Sequence, residues 1–193
     1  METGDNLFNE WFPLRGAPPT REQIDKNMAI TLEVQHACMV QHNKPPFACI
    51  LVAPDHETVL LKQHNVSYIR HAESSLALSA ADQFPPAYLW QCTMYSTWEP
   101  CAMCAGTVYW ANIGRVVFAA SWKQLLELTG PNNPMNFTSA DSCVPILQGG
   151  QKFIEIGGPL DDWSERVVDD ADWFWSKTET RVEAAKREVP SKS

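Results

Sequence analysis

The chain has 193 residues, 45% of them hydrophobic, with a formal net charge of −8 from 15 Lys+Arg against 23 Asp+Glu. This length suits one domain with a sizeable core. The acid excess, with no basic cluster, argues against nucleic acid as a partner, and no apolar run approaches a membrane span.

Residues 1–19 are Pro-rich and read as an arm. Its Phe8, Trp11 and Phe12 should pack on the domain, because three aromatic rings are costly to leave in water. Thr20 and Gln23 form a capping box that opens a helix to about Gln41, with Ile24, Met28 and Leu32 on its apolar face. Pro45-Pro46 stops that helix. Phe47–Ala53 is a continuous apolar run, as a strand buried on both faces requires. Pro54–Glu57 reads as a hairpin turn and Thr58–Gln63 as the returning strand. A helix is predicted over His71–Asp82, a strand over Gln91–Thr97, a helix over Cys101–Ala111 and a strand over Arg115–Ala120. A short helix at Trp122–Leu128, a loop at Pro131–Thr138, a weak strand at Gln151–Ile156 and a helix at Asp161–Lys177 complete the series. Strands alternating with helices predict a three-layer α/β/α sandwich. The expected organisation is an arm at 1–19, one domain at 20–180 and a flexible tail at 181–193. Met1–Asp5 lacks the basic and apolar regions of a secretory signal, so a cytoplasmic protein is expected. Cys38, Cys49, Cys92 and Cys143 lie in apolar surroundings at irregular spacing and read as buried free thiols.

Two short motifs carry the chemistry: His71-Ala72-Glu73 and Pro100-Cys101-Ala102-Met103-Cys104. Cys101 and Cys104 stand three apart, on one face of a helix, and can share a metal. His71 and Glu73 would diverge in mid-helix, so they converge only in a first turn, with the metal beyond the helix end. One imidazole and two thiolates with an open fourth position describe a catalytic zinc site. Glu73 is then the carboxylate that moves protons for a hydrolytic step. Two helix N-termini aimed at one point add a positive field that favours thiolates. The competing readings are a structural zinc with a fourth ligand from Cys92, Cys143 or His64, and a redox role for Cys101-Cys104.

His-x-Glu followed by Pro-Cys-x-x-Cys is the signature of the zinc nucleobase deaminases. Residues 20 to about 120 resemble the cytidine/deoxycytidylate deaminase superfamily. Tyr95–Gly106 and Tyr109–Val117 are most similar to its guanine deaminase and tRNA-adenosine deaminase branch. The resemblance implies a mixed five-stranded sheet, a homodimer, zinc on His71, Cys101 and Cys104, and Glu73 as the proton carrier. It also implies a substrate-binding asparagine upstream of the first motif, for which Asn65 is the candidate, and a pocket lined by Phe47. Trp98, Glu99 and Pro100 are further candidates for substrate contact, with Trp98 standing either to narrow that pocket or to pack in the core. Trp173, Phe174 and Trp175 read as a buried group or as a lid. The expected activity is zinc-dependent hydrolytic deamination of a small amino-heterocycle, guanine-type first. The alternatives are a tRNA-specific adenosine deaminase, which the acid excess disfavours, and a non-catalytic partner subunit, which the retained Glu73 disfavours.

Overall fold

The computed structural model describes residues 9–178; Phe8 and the expected tail at 181–193 lie outside the described residues. Helix α1 (Arg21–His42) opens on the capping box read from the sequence. The Gln23 amide N–H donates to Thr20 Oγ1 at 3.3 Å, and the Thr20 amide N–H to Gln23 Oε1 at 2.9 Å. The helix closes at Asn43, which takes the left-handed conformation (φ 52°) just before Pro45-Pro46. Strand β1 (Ala48–Val52) is buried at every position. It turns back into β2 (Val59–His64) through a loop in which Asp55 Oδ1 accepts the amide N–H groups of Glu57 and Thr58, each at 2.9 Å.

Helix α2 (Ala72–Gln83) and the short α3 (Pro86–Leu89) lead to β3 (Thr93–Trp98). Then follow α4 (Ala102–Trp110), β4 (Arg115–Ala120), α5 (Trp122–Thr129), α6 (Val144–Gln148), β5 (Glu155–Gly157) and α7 (Asp161–Trp175). The five strands form one sheet in the order β2-β1-β3-β4-β5. β1 runs antiparallel to β2 and β3, whereas β3–β4 and β4–β5 are parallel, so the sheet is mixed as expected. Alternate residues of each strand feed opposite cores. Cys49, Leu51, Met94, Val116 and Phe118 meet Leu76 and Ala80 of α2, Val108 of α4 and Leu147 of α6. Ile50, Val52, Tyr95, Val117 and Ala119 meet Met28 of α1, Leu125 of α5 and Val167 and Phe174 of α7. Sheet and helices therefore stack in the three layers predicted.

α3 and α6 are absent from the sequence reading. Each is a single turn or little more, too short to show a period, with a proline in its first turn. β5 is also shorter and later than the expected 151–156. The arm packs through fewer rings than expected. Phe12 stands edge-on to Trp90 with centroids 5.2 Å apart, but Trp11 is half exposed. Polar ties supply the rest. Trp90 Nε1 donates to the Pro13 carbonyl at 3.0 Å, Arg15 pairs with Glu155 at 2.9 Å, and Arg115 donates to the Gly16 carbonyl. Cys38, Cys49, Cys92 and Cys143 are buried free thiols, as read.

Candidate active site

His71 and Cys101 each occupy the N-cap of a helix, α2 and α4 respectively, with extended backbone. An N-cap side chain ordinarily turns back to bond the first free amides. Neither does so here, and both point toward each other instead. Cys104, one turn into α4, completes the group. His71 Nδ1 lies 3.6 Å from Cys101 Sγ and 3.6 Å from Cys104 Sγ. The ligand atoms of the three residues lie within 4.8 Å of one another. Zinc bonds of about 2.0 Å to nitrogen and 2.3 Å to sulfur, at the tetrahedral angle, would hold N and S about 3.5 Å apart. Both the donor set and its spacing therefore fit zinc.

His71 Nε2 faces the Tyr68 carbonyl at 3.0 Å. A carbonyl can only accept, so the proton sits on Nε2 and the Nδ1 lone pair is left for a metal. Cys101 is pushed down to about 4 by its hydrogen bond with Cys104, and further by His71, against the opposing effect of burial. Cys104 is pushed up by that same bond and by burial. Cys92, Cys143 and His64 are not members of this group among the described residues, so the closed four-ligand site is not assembled.

Glu73 is buried beside the metal-ligand group. Oε2 is 3.5 Å from Cys104 Sγ, and Oε1 is 3.0 Å from Ser96 Oγ. Ser96 Oγ is also 2.7 Å from the Trp98 carbonyl. A hydroxyl has one proton to give, so Ser96 donates to Oε1 when Glu73 is ionised and to the Trp98 carbonyl when Glu73 is protonated and itself donates to Ser96. Burial pushes the Glu73 carboxyl above its ordinary range.

Two cavities meet at these residues. An inner one of about 160 Å³ touches Glu73, Cys101, Trp98, Trp122 and the segment 136–139. An outer one of about 490 Å³ is lined by Lys44, Asn65, Tyr68 and Met135. Phe47, His71, Asn136 and Phe137 border both. The Phe47 ring lies nearly parallel to the His71 ring, 8° apart in plane, with centroids at 6.5 Å. Asn65 is 6% exposed, and its Oδ1 is buried without a hydrogen-bond partner.

Trp98 is held by hydrogen bonds from Nε1 to the Pro46 carbonyl (2.8 Å) and Gln35 Oε1 (3.2 Å), so it packs in the core while also bordering the inner cavity. Glu99 borders the same cavity, but its oxygens are engaged by Ser142, Cys143 and Trp122. Pro100 is buried and lines neither cavity. Phe174 and Trp175 are core residues, with Trp175 6.2 Å from Phe47 and edge-on, and Trp173 is half exposed. Trp175 braces Phe47, and none of the three lines either cavity. The wall formed by Trp122 and residues 136–139 is missing from the sequence reading, which saw 131–138 only as a loop.

The model of the cytidine and deoxycytidylate deaminase zinc-binding region matches residues 21–120. The chain belongs to this family. Zinc is accordingly its cofactor. A probable cytosine deaminase of Schizosaccharomyces pombe is 32% identical over 121 residues, covering 59% of this chain and 70% of that protein. A cytosine deaminase of Candida albicans is 33% identical over 153 residues, covering 74% of this chain and 95% of its own. Among solved structures, a guanine deaminase from Nitrosomonas europaea superposes with a TM-score of 0.56 at 16% identity, covering 86% of this chain and 92% of that one. That likeness extends the family's fold beyond the matched residues, to most of the chain. No helix among the described residues is long and apolar enough to cross a membrane.

Proposed function

We propose that this deaminase hydrolyses the exocyclic amine of a small planar nucleobase or nucleoside, with zinc on His71, Cys101 and Cys104 and proton transfer by Glu73. The observation that carries the reading is a buried carboxylate set against a three-ligand metal group, both opening onto one small cavity. Zinc so held supplies a Lewis acid that makes hydroxide available at neutral pH. Glu73 takes the two protons of the attacking water one after the other at Oε2, giving the first to the ring nitrogen and the second to the departing amine, while Ser96 steadies Oε1. Asn65 offers its unpartnered Oδ1 to an N–H of the substrate. Phe47 supplies an apolar face against which a flat ring packs. Within this scheme residues 20–180 act as one catalytic domain, as a homodimer in the cytoplasm.

Two substrates lead. Similarity of Tyr95–Gly106 to the guanine deaminase branch supports a guanine-type amine. The relatives matched over most of their own length, both named cytosine deaminases, support a pyrimidine amine. Ammonia release from the zinc-loaded protein on a panel of purine, pyrimidine and triazine amines, as bases and as nucleosides, tests the reading. Absence of turnover across the panel would refute it.

A further inference from the structure

Glu99 sits between the inner cavity and two chain segments, and both oxygens of its carboxylate are engaged. Oε1 accepts from Ser142 Oγ at 2.7 Å and from the Cys143 amide at 3.0 Å. Oε2 accepts from the Trp122 amide, the first helical residue of α5, at 3.3 Å. The Glu99 amide itself donates to the Ala120 carbonyl at 2.7 Å. Trp122 and residues 136–139 form the wall of the inner cavity that faces the metal-ligand group. The segment carrying that wall is secured at two places. Upstream, Asn133 Nδ2 donates to the Thr129 carbonyl at the end of α5 at 3.3 Å, and Asn133 Oδ1 turns the chain by accepting the Met135 amide at 2.9 Å. Downstream, the fastening is Glu99. Between them Phe137 is 80% exposed; apolar packing reaches the segment at Met135, upstream of the wall, so the wall itself leans on polar ties.

We propose that Glu99 is a positioning residue: it clamps the 136–142 segment and the start of α5 to the metal-binding loop, and so sets the width of the inner cavity and the size of amine it accepts. The inference rests on the reading of that cavity as the substrate chamber. A carboxylate is needed because all three partners are donors, and an ionised carboxyl is the side chain that accepts at both of its oxygens. Glutamine has the same shape but carries an NH₂ on one side. That NH₂ would face either Trp122 or the Ser142–Cys143 pair donor to donor, and one arm of the clamp would open.

The test is Glu99→Gln in the zinc-loaded protein, followed by kinetics on single-ring and two-ring amines and by amide hydrogen exchange. We expect kcat/KM on the preferred amine to fall by about tenfold, chiefly through KM. Discrimination between ring sizes should weaken, zinc content should hold, and exchange should quicken in 136–143 while α2 and α4 stay protected. Ser142→Ala, which removes one hydrogen bond and leaves the Cys143 and Trp122 amides on the carboxylate, should move each readout the same way by less, and it serves if the Gln variant fails to fold. Unchanged exchange in 136–143, or unchanged ring-size discrimination, would overturn the proposal. Loss of zinc together with activity would also overturn it, by placing the effect on the metal loop. If the wild type turns over no amine, the substrate reading fails, and exchange alone judges the clamp.

Discussion

Glu73→Gln separates proton transfer from metal binding and from folding. The two side chains have nearly the same shape, and glutamine can still present an oxygen to Ser96 where Glu73 Oε1 lies at 3.0 Å. The three metal ligands are untouched. What disappears is the ability to take and return a proton 3.5 Å from Cys104 Sγ. General acid–base groups contribute roughly 10²–10⁴-fold to a rate, so kcat should fall by about that factor with zinc stoichiometry unchanged. Stability should not fall with it. Glu73 is buried, and burial raises its pKa, so a neutral amide removes an unfavourable buried charge and leaves no void. The measurements are ammonia release, metal analysis and thermal unfolding on one preparation. A variant that keeps more than about a tenth of wild-type turnover would refute the proton role. A variant that loses zinc in step with activity would show that Glu73 serves the metal instead.

Cys104→Ser should lower zinc content and turnover together, because hydroxyl is a poor substitute for thiolate at this metal; metal analysis after dialysis decides. Asn65→Ala should raise KM more than it lowers kcat if its buried, unpartnered Oδ1 accepts a substrate N–H as proposed; a pure kcat effect would contradict that role. Trp98→Phe strands the Pro46 carbonyl and Gln35 and should cost about 1–3 kcal/mol in urea unfolding, with Trp98→Ala nearer 3–5 kcal/mol. Asp55 is held down to about 2 from its ordinary 3.8, first by Thr58's hydroxyl and then by the amides of Thr58 and Glu57. Its folded-state pKa is depressed, so its contribution to stability is full above about pH 4 and fades as pH falls toward 2. Asp55→Ala should therefore lower Tm at pH 7, with the gap to wild type closing across that window.

The parts of the molecule legible in the sequence are those written in local pattern. Thr20 with Gln23 marked a helix start to the residue, and the unbroken apolar run at β1 marked a strand covered on both faces. His71, Glu73, Cys101 and Cys104 could be placed together because the two motifs match one family signature, and the two-residue spacing of His71 and Glu73 put them at a helix beginning. The cavity wall was illegible because residues 136–139 have no periodicity, and because the contact that fastens their segment joins Glu99 to Ser142, 43 residues away. No local signal records such a pairing. The sequence leaves Trp98 between pocket and core for a similar reason: its anchors, Gln35 and Pro46, belong to the body of α1 and to the bend after it, which only the folded sheet brings alongside. The C-terminal aromatics were ambiguous from composition alone, and the register of α7 decides that two of them face inward.

His71 and Cys101 stand where a serine or aspartate would normally fasten a helix beginning, and both forgo that task. The opening turns of α2 and α4 therefore lack their own fasteners, and what joins the two caps is whatever the imidazole and the sulfurs grip in common. A chelator should then do more than silence the chemistry. It should loosen two stretches thirty residues apart in the chain at the same moment, so that loss of the ion reads out as unfastening at both helix starts while the sheet between the layers still stands.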